Sequence, residues 1–215
     1  MAETTQLYIS HGPHFNTDVE GRTSNIEHAV PGIDTLFIED RETPENKLKN
    51  WRTAPIVLFI TAAWLTVLNR IGSKLKSDTE ILNRIEERHS PEIVPVDRSI
   101  HTLIRENPRQ WLVANWLPVF TAIYAYLFVV TVAPETDLVL NLVHAALVLL
   151  LSGAAVAGAM MGGFNTSRDL HMAKRIAEYT GDNEVNEAAL ICGSDHYQGI
   201  HELCNRVEGI EVVEE

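Results

Sequence analysis

Four side chains with ligand chemistry stand at or just beyond apolar stretches of this sequence: His11, His14, Glu39 and His196. His11-Gly-Pro-His14 follows an alternating stretch that holds Leu7 and Ile9. Glu39 closes Asp34-Thr-Leu-Phe-Ile-Glu39, and His196 follows the apolar run 188–192 and Gly193. Two neutral imidazoles and one carboxylate are ordinary ligands for a first-row divalent metal, with positions left open for water. Such an ion lowers the pKa of bound water and polarises a carbonyl, which is what peptide or ester hydrolysis needs. Each residue also has a plainer reading. His11 and His14 flank a Gly-Pro turn, Glu39 opens the run Glu39-Asp-Arg-Glu42 typical of a solvated loop, and His196 sits in a tight turn.

A shared site requires the strands that carry these residues to be parallel, so that their carboxyl ends meet at one edge where ligands bind. The first strand, a helix beginning at Asn16 or Thr17 and running to about His28, and a strand over 34–39 fit a βαβ unit. A helix over 77–89 carries Ile81, Leu82 and Ile85 on one face, and Pro91 separates it from a strand at 93–96, followed by Asp97 and Arg98. A helix over 167–178 places Leu170, Ala173, Ile176 and Ala177 on one face and stops at Gly181. Arg168 and Asp169 fall in its first turn, where an Asp is a common partner of the helix dipole. The strand 188–192 comes next, then a helix from Gln198 and a final edge strand near 211–213.

Between these pieces lie two uncharged stretches, 111–133 and 138–164, separated by the polar turn Pro134-Glu-Thr-Asp137. Each passes the length of about 20 apolar residues that a membrane-spanning helix needs. Together they read as a transmembrane hairpin. Basic residues gather at its outer ends (Arg105, Arg109, Arg168, Lys174, Arg175) and the connecting turn is acidic, which places both chain ends in the cytoplasm. Gly158 and Gly162 recur at the spacing that lets helices approach closely, within the hairpin or between copies of the chain. The apolar run 54–68 is too short to span and has basic residues on both flanks, so it reads as a buried or interfacial helix.

The formal charge of -12 excludes a nucleic-acid partner, because no basic patch is available to neutralise phosphates. Cys192 and Cys204 read as small reduced packing residues, since the N-terminus has no secretory signal. The expected architecture is an α/β domain with a small, mostly parallel sheet. Residues 1–110 and 165–215 supply its two pieces, and a two-helix transmembrane hairpin over 111–164 interrupts them.

Four pieces of the chain, in order, resemble the TraB/PrgY family, which includes the Tiki-type metalloproteases. Leu36-Phe-Ile-Glu39 is similar to the strand ending in the family's glutamate, and Val96-Asp-Arg-Ser-Ile-His-Thr-Leu-Ile-Arg105 to its Asp-Arg-Asp-Ile segment. Ser167-Arg-Asp-Leu-His-Met-Ala-Lys-Arg-Ile176 resembles its Glu-Arg-Asp helix, and Gly193-Ser-Asp-His-Tyr-Gln-Gly-Ile200 its C-terminal G-x-x-H motif. The chain departs from the pattern at His11, Ser99 and Ser167, where the family carries glycine, aspartate and glutamate.

The resemblance implies a membrane protein with a cytoplasmic α/β domain that hydrolyses peptides with a divalent transition metal of the manganese, cobalt or zinc class. In that reading His14, His196 and Glu39 hold the metal and its water, and His11 is an additional ligand. Arg168 or Arg98 stabilises the developing oxyanion, and Asp169 orients one of these two arginines. The departure at Ser167 supports the alternative: a catalytically inactive membrane protein that binds or sequesters a peptide or protein partner.

Overall fold

The computed structural model describes residues 4–12, 18–41, 77–98, 100–133 and 137–213, together with Phe59 and Glu135. The expected helix over 54–68, apart from Phe59, and residue His14 lie outside the described residues. In chain order the elements are β1 (Thr5–Gly12), α1 (Val19–Ala29), β2 (Thr35–Arg41), α2 (Ser77–His89), β3 (Glu92–Asp97), α3 (Ile100–Glu106), α4 (Pro108–Val132), α5 (Leu138–Gly163), α6 (Asn165–Asp182), β4 (Glu187–Gly193), a short 3-10 turn (Ser194–His196), α7 (Tyr197–Cys204) and β5 (Ile210–Val213). They divide into two compact units. One draws on Met1–Thr43, Ile71–Ser99 and Asn165–Glu215, and the other contains Ile100–Phe164.

The first unit is built on a five-stranded sheet, parallel throughout, in the order β3-β2-β4-β1-β5. Alternation along the central strands fills both faces. Leu7, Ile9, Phe37, Ala188, Leu190 and Cys192 point into a core shared with Met172, Ala173 and Ile176 of α6 and Ile200 of α7. Tyr8, Leu36, Ala189 and Ile191 point the other way, onto Ile26 of α1 and Ile81 and Ile85 of α2. A strand covered on both faces has no polar side to show, which is why β4 reads as an unbroken apolar run.

Several details differ from the sequence reading, among them Leu170, which is exposed while Met172 joins Ala173 and Ile176 on the buried face of α6. β1, α1 and β2 were expected to form one βαβ unit, and β1 and β2 are indeed parallel, but β4 lies between them and pairs with both. A strand covered on both faces belongs in the middle of a sheet, and β4 is buried without interruption from Ala188 to Gly193. Gly181 was expected to stop its helix, yet α6 continues through Asp182. At the other end of the chain, α1 starts from Asp18, whose carboxylate accepts from the Gly21 amide at 3.0 Å.

In the second unit α4 and α5 pack side by side as a hairpin. Both are long and apolar enough to cross a membrane. Only 22% and 11% of their most apolar windows are buried, so Phe120, Tyr124, Leu140 and Leu151 are exposed. A core helix of a soluble domain would be largely covered. Where α4 begins and α5 ends, the buried ring of Trp111 stacks on Phe164 at 6.1 Å.

Candidate functional site

The carboxyl edge of the sheet gathers a buried cluster of charge. Glu39 stands near the end of β2, where the register against β3 shifts between Ile38 and Arg41. Such an irregularity releases a side chain from the regular alternation and re-aims it. Glu39 Oε2 accepts from the Gly193 amide of β4 at 2.8 Å, and Oε1 accepts from Arg168 Nη2 at 2.6 Å. Arg168 and Asp169 occupy the first turn of α6, on the face that continues through Met172, Ala173 and Ile176. That placement buries both of them.

Arg168 also grips Asp97, the last residue of β3. Its Nε donates to Oδ1 at 3.1 Å and its Nη2 to Oδ2 at 2.5 Å. The Asp97 side chain has 0% exposure, so the guanidinium takes the place that water would otherwise hold. The Arg98 amide completes the shell around Asp97 Oδ1 at 2.7 Å.

His196 ends the turn after β4 and is buried. Its two ring nitrogens face two carboxylates: Nδ1 lies 2.5 Å from Asp169 Oδ1, and Nε2 lies 3.4 Å from Glu39 Oε1. Gly199, three residues further on, gives Asp169 its room, because a β-carbon there would collide with the Asp169 carboxylate.

These contacts set the protonation behaviour. Burial works to raise the Glu39 pKa, but the bonds from His196 and the Gly193 amide and the charge of Arg168 outweigh it and hold the group at about 2. Burial disfavours the His196 imidazolium, yet hydrogen bonds to Glu39 and Asp169 outweigh that too and raise its pKa. Asp169 is shifted upward by burial, against the pull of His196 and Arg168. Three carboxylates against one guanidinium leave two negative charges when His196 is neutral and one when it is protonated.

Of the residues singled out in the sequence, the structure thus brings together Glu39, Arg168, Asp169 and His196. Arg98 joins through its backbone. The His11 side chain is exposed at the end of β1, its ring 4.0 Å from that of Tyr197. Asp97 and the Gly193 amide join the cluster without having been singled out as site residues in the sequence. The signal for a buried pair was present: Arg168 lies four and eight residues before Met172 and Ile176, on one helical stripe. A second arginine was also missed. Arg22 of α1 donates to the Ser10 hydroxyl and carbonyl at 3.1 and 3.0 Å and to Asp78 at 2.8 Å, with its guanidinium against Gly12.

Comparison with protein-family models, with curated proteins and with solved structures finds no match to this chain.

The donor set can be tested against a metal on geometry alone. Two bonds of about 2.1 Å meeting at a tetrahedral angle place their donor atoms about 3.4 Å apart, which is the separation of His196 Nε2 and Glu39 Oε1. Asp169 on Nδ1 is the outer carboxylate that orients many metal-bound histidines. The net negative charge with neutral His196 suits a dication. Among the described residues no third His, Cys, Asp or Glu side chain completes the group. Glu39 and His196 therefore fit as two ligands of an ion whose remaining positions would be open to water.

Proposed function

We propose that this chain is a TraB-like integral membrane protein whose α/β domain carries a metal-dependent peptide hydrolase site at Glu39 and His196. The observation that carries the reading is the pair itself: an imidazole nitrogen and a carboxylate oxygen at a ligand-pair separation, each held from behind by protein groups. A manganese, cobalt or zinc ion bound there would supply an acidified water and polarise a peptide carbonyl.

The chain's own residues set the stage for that chemistry. Glu39, anionic down to a pKa of about 2, is too weak a base to take a proton at neutral pH and serves as an anchor. Asp169 fixes the orientation and tautomer of His196 through Nδ1. Arg168 positions Glu39 and balances its charge. Its Nε and Nη2 are directed at carboxylates, so Nη1 is the part that could meet a developing oxyanion. The exposed apolar faces of α4 and α5 support membrane insertion, and the basic residues near the hairpin's outer ends support cytoplasmic termini.

A second reading, a catalytically inactive protein that binds or sequesters a peptide, is favoured by one observation. Both Glu39 oxygens already have protein donors, so the network is satisfied without an ion. The test uses the full chain in mild detergent, stripped with a chelator. The hydrolase reading requires that manganese, cobalt or zinc raise the thermal midpoint in wild type but not in His196→Ala. It also requires that metal-loaded protein cleave a mixed peptide pool, and that Glu39→Gln, still folded, does not. Folded protein that cleaves no peptide, with or without a metal response, selects the binding protein, and no metal response removes the ion and the hydrolase together.

A further inference from the structure

A cavity of about 550 Å³ opens between α4 and α5, at the end where α4 begins and α5 finishes. Its size falls in the range of small-molecule sites. Ala114 and Leu117 line one wall and Ala159 and Met160 the other, while Arg109 and Gln110 stand at its mouth. The cause lies in the sequence. Two alanines face the same gap, and Pro118 has no N–H to return to the Ala114 carbonyl four residues before it. The cavity opens sideways, since Leu117 is 52% exposed. Among the described residues Arg109 has no ion-pair partner.

From Arg109 to Leu117 the groove descends about 12 Å along α4, at the helical rise per residue. It therefore offers one cationic donor at its head and an apolar channel below. An anionic head on an apolar tail is the ligand with that polarity. A chain of net charge -12 repels anionic lipid in general, so any preference for it has to be local.

The geometry points to this groove as the seat of one anionic phospholipid, with its phosphate on Arg109 and an acyl chain running between Ala114 and Ala159. The assignment rests on the reading of α4 and α5 as membrane-spanning and is independent of any hydrolase activity. Native mass spectrometry of the full chain in a neutral detergent, titrated with phosphatidylglycerol or phosphatidylcholine of matched acyl chains, tests it. Wild type should retain one phosphatidylglycerol per chain with about fivefold preference. Arg109→Gln should abolish the preference. Ala159→Phe, and independently Val156→Phe at another residue lining the groove, should abolish retention of both lipids.

Equal retention of the two lipids by wild type overturns the inference, as does retention that survives both groove-filling variants. Full competition by soluble glycerol phosphate would show a headgroup site with no seat for a chain. A lower oligomeric state in Ala159→Phe with unchanged lipid binding would make a second copy the occupant. Either result also overturns it. If the protein stays monodisperse after detergent and lipid are removed, the membrane reading itself has failed, which none of the lipid comparisons would report.

Discussion

Replacing Arg168 by Met should be among the most damaging single changes in the sheet unit, and the structure sets the scale. The Asp97 side chain is 0% exposed and that of Arg168 6%, with two hydrogen bonds between them. Removing one partner of such a pair leaves an uncompensated buried charge, at a cost of about 3–5 kcal/mol. The substitution also strips Glu39 Oε1 of its shortest bond. Replacing both members, as in Arg168→Met with Asp97→Leu, removes the orphan together with its partner and should recover at least about 2 kcal/mol of the summed single costs. The measurement is urea unfolding of the full chain in mild detergent, followed by near-ultraviolet circular dichroism and run as a double-mutant cycle. A cost below about 1 kcal/mol for Arg168→Met, or a double variant as unstable as the sum of the singles, would refute the buried-pair account.

The same cluster predicts two limbs of pH dependence in metal-free protein. Glu39 is depressed from an ordinary 4.5 to about 2, so its contribution is present above pH 4.5 and fades as the pH falls toward 2. Glu39→Gln should flatten that window in unfolding midpoints taken across pH. His196 is raised from 6.5, so its contribution is full below that value and disappears as the pH climbs through the folded pKa; His196→Gln should level the alkaline limb. Gly199→Ala should destabilise by about 1–3 kcal/mol by driving Asp169 off His196. Gly181→Ala, with open space around it, should be neutral or stabilising by up to about 1 kcal/mol in the same melts. Burial pushes both thiols up, Cys204 to about 12, so neither should react with a thiol reagent until the chain is denatured. Labelling at the rate of a free thiol in native protein would contradict the burial of both.

The strands, the amphipathic helices and the two long apolar helices were legible because each imposes a period on its own short stretch of sequence. Glu39 and His196 were legible as residues placed where strands run out. What could not be read was pairing. Nothing local to 5–12 or 35–41 says that β4 will separate those strands. Nor does the Asp97-Arg98 dipeptide reveal that the aspartate turns to an arginine 71 residues away. The register shift that aims Glu39 at Gly193 arises only when three strands are already side by side.

That late central strand has a consequence for how the protein comes into being. Thr5 bonds the Val185 carbonyl across 180 residues, and β1 and β2 share no neighbour except β4. During synthesis the amino-terminal strands leave the ribosome long before the segment that joins them exists. Pairings of such high sequence separation close slowly, and unpaired strand edges invite association with other chains. The sheet is thus completed only after the two long apolar helices have been made, and the segment that completes it brings the histidine of the charge cluster with it.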